Sequence, residues 1–158
     1  MCLICQRIDL IKKRQNPYFV KELQTGYVVL GDHQYFKGYT LFLGKGHVTE
    51  LDQLDRQERN LFLSEMADVA EAVKLAFDAE KMNCELLGNG DAHVHWHLFP
   101  RSAGDLGDYG NQGKGPVWWY PMELMYDEAK KPTANELTLM KAQLLEALEK
   151  LEKNHGNL

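Results

Sequence analysis

Polar and apolar residues alternate strictly over His93-Val94-His95-Trp96-His97-Leu98. A period of two is the signature of a β-strand, because successive side chains leave opposite faces. The three imidazoles therefore share one face, expected to be exposed, while Val94, Trp96 and Leu98 enter a core. A second period runs from Asp55 to about Glu80. There Leu61, Phe62, Met66, Val69, Val73, Ala76 and Phe77 recur at steps of three and four, the stripe of an amphipathic helix. Asp55 and Glu58 supply its start signal. A third stripe, Leu137, Met140, Leu144, Leu148 and Leu151, follows the capping box Thr133-x-x-Glu136. It predicts a helix over about 133–153 that packs on its own domain or on a second subunit.

Between these anchors the chain reads as short elements. Leu3 to about Arg14 suits a helix, ended by Asn16-Pro17, since proline disfavours helix in the residue before it. Tyr18–Leu23, Tyr27–Leu30, Tyr39–Leu43 and Lys81–Leu87 are predicted strands, separated by turn residues such as Thr25-Gly26 and Gly88-Asn89-Gly90-Asp91. Residues 102–121 form a glycine-rich loop, Gly110 among its glycines, that carries Trp118, Trp119 and Tyr120, aromatics expected to pack. The order predicts an α+β fold. An antiparallel five-stranded sheet is packed by the long helix, with a C-terminal helix, in one domain over residues 1–158.

Composition narrows the function classes. The net charge of −5 argues against duplex nucleic acid as a partner. No apolar run approaches the ~20 residues that span a bilayer, so no membrane partner is expected. The start MCLICQRIDL lacks a basic region followed by an apolar core, which makes the cytoplasm the expected location. Lys12-Lys13-Arg14 reads as a solvated helix turn, His33 as a surface residue and His155 as part of a polar tail. Of three cysteines, Cys84 reads as a small buried hydrophobe. Cys2 and Cys5 make a C-x-x-C, which in a cytosolic chain points to metal ligation or redox chemistry.

Three imidazoles in strict alternation need a chemical reason. Neighbouring same-face residues of a strand lie about 6.7 Å apart and the outer pair about 13 Å apart. One metal held by all three is therefore geometrically poor. A division of labour fits better, with one ring serving a metal or support and the others facing a substrate. Unprotonated imidazole attacks phosphorus near neutral pH, and a protonated neighbour can balance phosphate charge.

These residues carry a resemblance. His93-Val94-His95-Trp96-His97-Leu98-Phe99 resembles the His-φ-His-φ-His-φ-φ signature of the histidine-triad (HIT) superfamily. Asp32 to His47, Leu87-Gly88-Asn89-Gly90 and Pro100-Arg101 are similar to its flanking segments. The similarity covers about residues 2–101, leaving the 102–121 loop and the terminal helix as an extension. With Gly115-Pro116-Val117-Trp118, the chain looks most like bacterial HIT proteins of the diadenosine tetraphosphate hydrolase type. The resemblance implies a homodimer with a sheet continued across both subunits. It implies hydrolysis at the α-phosphate of dinucleoside polyphosphates through a nucleotidyl-histidine, with His95 as nucleophile and His97 on the phosphate. No catalytic metal is expected. Nucleoside phosphoramidase, nucleotidyl transferase and nucleotide-binding regulator remain alternatives.

The resemblance favours a ribose contact for Asp32 over a plain turn-forming role, while Asn89 reads either as a phosphate donor or as a left-handed turn residue, and Arg101 either as a polyphosphate contact or as a solvated strand end. Some relatives carry a structural zinc on an N-terminal C-x-x-C, a turn histidine and the first triad histidine. The matching residues here are Cys2, Cys5, His47 and His93. The chain departs from the pattern at Gly90-Asp91-Ala92, where a glutamine and a hydroxyl residue are usual, and at Tyr39, which removes one supporting histidine.

Overall fold

A computed structural model describes residues 1–107 and 113–156. Gly110 and the side chain of Trp119 lie outside the described residues. Five strands, β1 (Phe19–Glu22), β2 (Gly26–Leu30), β3 (Thr40–Gly44), β4 (Lys81–Glu85) and β5 (His95–Arg101), form one antiparallel sheet in the order β1-β2-β3-β5-β4. Among the described residues three long helices accompany it, α1 (Leu3–Lys12), α2 (Arg56–Ala76) and α3 (Ala134–His155), with single helical turns such as Met122–Met125 between α2 and α3. The expected α+β fold is the one observed.

Burial on both faces of the sheet follows from the alternation. Val28, Leu30, Phe42, Val94 and Leu98 point to one side, against Phe62, Val69 and Val73 of α2 and Leu144 and Leu148 of α3. Tyr27, Val29 and Leu43 point to the other, against Ile4, Ile8 and Ile11 of α1. Farther along that second face, Tyr39 and Phe99 pack with Phe36, Leu106, Val117 and Met125. Each such fully buried side chain contributes about 1.5–3 kcal/mol of transfer free energy. The terminal helix thus packs on its own domain. One buried carboxylate, Glu65 of α2, accepts from the backbone N–H of Gln24 (2.9 Å) and Thr25 (2.7 Å) and from the Thr25 hydroxyl. It fastens the β1–β2 turn to the helix.

The helix ends differ slightly from the expected ones. Asp55 caps α2 by accepting from Glu58 N–H at 2.9 Å. The helix stops at Ala76 because Asp78 takes a left-handed φ of 52° and Ala79 N–H bonds back to the Lys74 carbonyl. α1 ends in the same device. Arg14 sits at φ 58°, and Gln15 N–H donates to the Leu10 carbonyl at 2.8 Å. His155 closes α3, 3.9 Å from Glu71, rather than lying in a loose tail. Cys84 is exposed on the edge strand β4, not buried, because no strand among the described residues pairs beyond it. Among the described residues no helix is long and apolar enough to cross a membrane.

Candidate active site

One face of the sheet is only partly covered. α1 covers the β1–β2 side and the segment Val117–Tyr126 covers the β5 side. Between them lies a cavity of about 320 Å³ whose lining includes Arg7, Asp32, Asn89, His95, His97 and Trp118. The register Leu41↔His97 and Leu43↔His95 puts both imidazoles on this face. The imidazoles are buried rather than exposed: His93, His95 and His97 are 1%, 6% and 5% accessible. Their cover comes from α1 and from the 113–126 segment, distant in sequence.

The hydrogen bonds decide which ring nitrogen carries a proton. His95 Nδ1 lies 2.5 Å from the His93 carbonyl oxygen. A carbonyl only accepts, so Nδ1–H donates and the neutral ring keeps its lone pair on Nε2. His97 stands 4.8 Å from His95, centroid to centroid. Its Nδ1 meets the Tyr39 hydroxyl at 2.6 Å. Burial, with a smaller contribution from the neighbouring His95, pulls the His97 pKa down to about 3. The ring is therefore neutral at pH 7 and brings no positive charge to a phosphate, contrary to the expectation that a protonated neighbour balances the charge. Burial raises the Tyr39 phenol well above its ordinary value, so it keeps its proton.

Tyr39 reaches His97 because of the preceding loop. Gly38 takes φ +95° against the Phe77 ring, a conformation that favours glycine. The Gln34 side chain donates to the carbonyls of Gly31 (2.8 Å) and Tyr39 (2.9 Å) and accepts from Gly38 N–H (2.8 Å). The same clamp sets Asp32 and His33 on the cavity wall. Asp32 receives both terminal nitrogens of Arg7 at 2.7 Å. On the opposite wall the Trp118 ring is 4.8 Å from His97. Glu85, paired in register with His97, holds this wall by accepting from Val117 N–H at 3.0 Å. Burial pushes the Glu85 carboxyl up.

A second cluster lies at the start of the same strand. His93 precedes β5, and Val94 N–H bonds to the Val48 carbonyl at 2.9 Å. The His93 ring turns toward α1, with Nδ1 at 3.6 Å from Cys2 Sγ and 3.5 Å from Cys5 Sγ, while His47 Nδ1 is 3.3 Å from Cys5 Sγ. The four ligand atoms lie within 4.8 Å of one another. A tetrahedral zinc with Zn–S near 2.3 Å and Zn–N near 2.05 Å has S···N edges of about 3.6 Å. The donor set therefore fits that ion. His93 Nε2–H donates to the Gly44 carbonyl at 2.7 Å, which leaves Nδ1 with the lone pair a metal needs.

The structure thus brings His95, His97, Asp32 and Asn89 to one cavity, and Cys2, Cys5, His47 and His93 to one cluster. Arg101 is not brought to the cavity. Its guanidinium is taken up by Asp105 (2.7 and 2.9 Å), Asn83 (2.8 Å) and the Gly113 carbonyl (3.3 Å). His33 is not a free surface residue: it lines the cavity and meets Tyr126 edge-on at 5.3 Å. Trp118 packs, as expected, but its partner is His97. Arg7 went unread in the sequence, although a signal was there. It lies three residues after Ile4 and four before Ile11, a charge on the inner stripe of α1.

Comparisons with known proteins agree with this geometry. The family model for the HIT domain matches residues 14–104, more than half of the 158-residue chain. No curated protein matches the chain. Among solved structures, a hypothetical histidine triad nucleotide-binding protein from Sulfolobus tokodaii is 19% identical, with 96% of this chain and 97% of that one covered and a TM-score of 0.70. A histidine triad protein from Marinobacter aquaeolei is 23% identical over 88% and 95%, with a TM-score of 0.68. A zinc-bound histidine triad family protein from Mycobacterium smegmatis is 19% identical over 97% and 96%, with a TM-score of 0.65.

Proposed function

The chain belongs to the HIT domain family, and on that premise we propose that it is a nucleotide hydrolase acting at the α-phosphate of dinucleoside polyphosphates such as diadenosine tetraphosphate. One observation carries the reading: the His95 Nδ1–H bond to the His93 carbonyl at 2.5 Å, which puts the lone pair of the neutral ring on Nε2, beside a cavity of nucleotide size. Nε2 attacks the α-phosphorus. A P–N bond forms as the P–O bond to the leaving polyphosphate breaks, and that group departs as an anion. The substituted His95 ring then carries a positive charge, which the His93 carbonyl dipole stabilises through Nδ1–H. Water next attacks phosphorus, loses a proton to solvent and releases the nucleoside monophosphate with neutral His95.

In this reading the Tyr39 hydroxyl donates to His97 Nδ1. The neutral ring then holds its proton on Nε2 and donates to a phosphate oxygen. Asp32 accepts from the ribose hydroxyls and Asn89 donates to phosphate. Arg101, engaged by Asp105 and Asn83, has no part. Cys2, Cys5, His47 and His93 would hold a structural zinc, a reading that the zinc-bound Mycobacterium smegmatis neighbour supports. Four protein ligands close a tetrahedral shell, so the metal would supply rigidity and no chemistry. The reading includes a cytoplasmic homodimer with one sheet continued across both subunits.

The test compares wild type with His95→Gln on diadenosine tetraphosphate, adenosine phosphoramidate and a nucleotidyl acceptor. Loss of roughly a thousandfold or more in kcat, with labelled nucleotide trapped on wild-type histidine only, is expected. Full activity of the variant overturns the mechanism, and preference among the three substrates separates hydrolase, phosphoramidase and transferase.

A further inference from the structure

We propose that Arg7 is a specificity-determining residue of the cavity: it holds the Asp32 carboxylate so that the remaining lone pairs accept the ribose hydroxyls, making α1 one wall of the nucleoside subsite. The inference rests on the nucleotide reading of the cavity given above. Both side chains line the cavity with His95 and are about equally half-buried, at 26% and 25% exposure. Arg7 Nη1 and Nη2 each meet one carboxylate oxygen at 2.7 Å, a parallel fork that fixes the carboxylate plane as a single point charge cannot. A carboxylate offers about four lone-pair sites, of which the fork occupies two. Two remain for a vicinal diol.

Charge makes the pair necessary as well as ordered. An unpaired carboxylate on the wall of a cavity that takes a polyphosphate would repel its ligand. Arg7 cancels that charge and cannot lose its proton; the Asp32 contact raises its pKa further. The helix that delivers it is held at its start and at its middle. At the start, Cys2 and Cys5 sit against His93, and Leu3 N–H donates to Asp91 Oδ1 at 3.2 Å. At the middle, Asn16 Nδ2 donates to the Arg7 carbonyl at 3.4 Å. Arg7 is thereby placed by α1 as a whole.

The experiment measures Kd for AMP and 2′-deoxy-AMP, and KM and kcat for diadenosine tetraphosphate, in wild type, R7M, R7K, D32N and the R7M/D32N double variant. Wild type should prefer AMP. R7M should lose about tenfold in AMP affinity, the size of a lost charged hydrogen bond, and much less for 2′-deoxy-AMP, with the loss falling on KM. R7K, which keeps the charge and the fold but not the fork, should recover affinity in part without recovering the discrimination. The double variant should match the singles. Equal losses for both nucleotides, growing with phosphate number, would make Arg7 a phosphate contact and overturn the proposal, as would additive losses or an R7M that behaves as wild type. Wild type that binds neither nucleotide removes the nucleotide reading itself, and this inference with it.

Discussion

The Tyr39 hydroxyl lies 2.6 Å from Nδ1 of His97, 58 residues away, in the place where the resemblance puts a supporting histidine. A phenol that keeps its proton can donate to that nitrogen, and in the proposed reaction this donation sets the tautomer of the second cavity histidine. Tyr39→Phe removes the partner of a buried ring nitrogen. The expected cost is about 1–3 kcal/mol of stability, with kcat falling about tenfold as the Nε2–H form ceases to be enforced. Nitrogen-15 shifts of the His97 ring check this directly. An Nδ1–H tautomer in the wild type would reverse the assigned direction of the bond.

The depressed His97 pKa makes stability depend on pH in a definite sense. The folded ring titrates at about 3 against 6.5 in the unfolded chain. Below 6.5 the unfolded state binds a proton that the folded state refuses. The ring's contribution is therefore complete above about pH 6.5 and declines as pH falls toward 3, with a limiting slope of about 1.4 kcal/mol per unit. His97→Asn abolishes this slope. Urea midpoints at pH 7 and pH 5 should differ less in the variant than in wild type, and equal differences would show that the ring titrates normally.

Removal of the metal tests the Cys2, Cys5, His47, His93 cluster. Purified protein should hold about one zinc per chain, and Cys5→Ser much less. A strong chelator should lower the melting temperature while leaving turnover in the fraction still folded. Immediate loss of turnover at unchanged circular dichroism, restored by metal, would assign the ion to the reaction.

Arg14 at φ 58° carries a side chain where glycine is at ease. Arg14→Gly should stabilise the chain by about 1 kcal/mol and raise Tm by about 2–4 °C in thermal unfolding. A lower Tm would mean that the Arg14 side chain makes a compensating contact.

Local pattern revealed the frame. The period of two set Val94 and Leu98 against α2, and the steps of three and four marked α2 and α3 almost to their ends. What it missed depended on distant segments. The imidazoles are buried because α1 and residues 113–126 close over them, and no window around His95 reports that. Cys84 is exposed because β4 is an edge, a property of strand order rather than of its own neighbours. Arg7 and Tyr39 acquire their meaning only from the partners the fold brings them. A division of labour among the three histidines was legible from spacing, since one straight strand converges three rings on one point only poorly, and the resemblance singled out His93 as the one set apart.

His93 meets the His95 ring through its carbonyl and the cluster through its own ring. Every amino acid has that carbonyl. The His95 ring therefore places no demand on the residue type at position 93, whose own ring answers to the cluster and to the Gly44 carbonyl. A chain that exchanged Cys2, Cys5 and His93 together would still keep the carbonyl that orients the His95 ring. In the proposed reaction the His95 ring is itself the reactant and has no such freedom. The first and second histidines of an apparently uniform motif thus answer to separate demands.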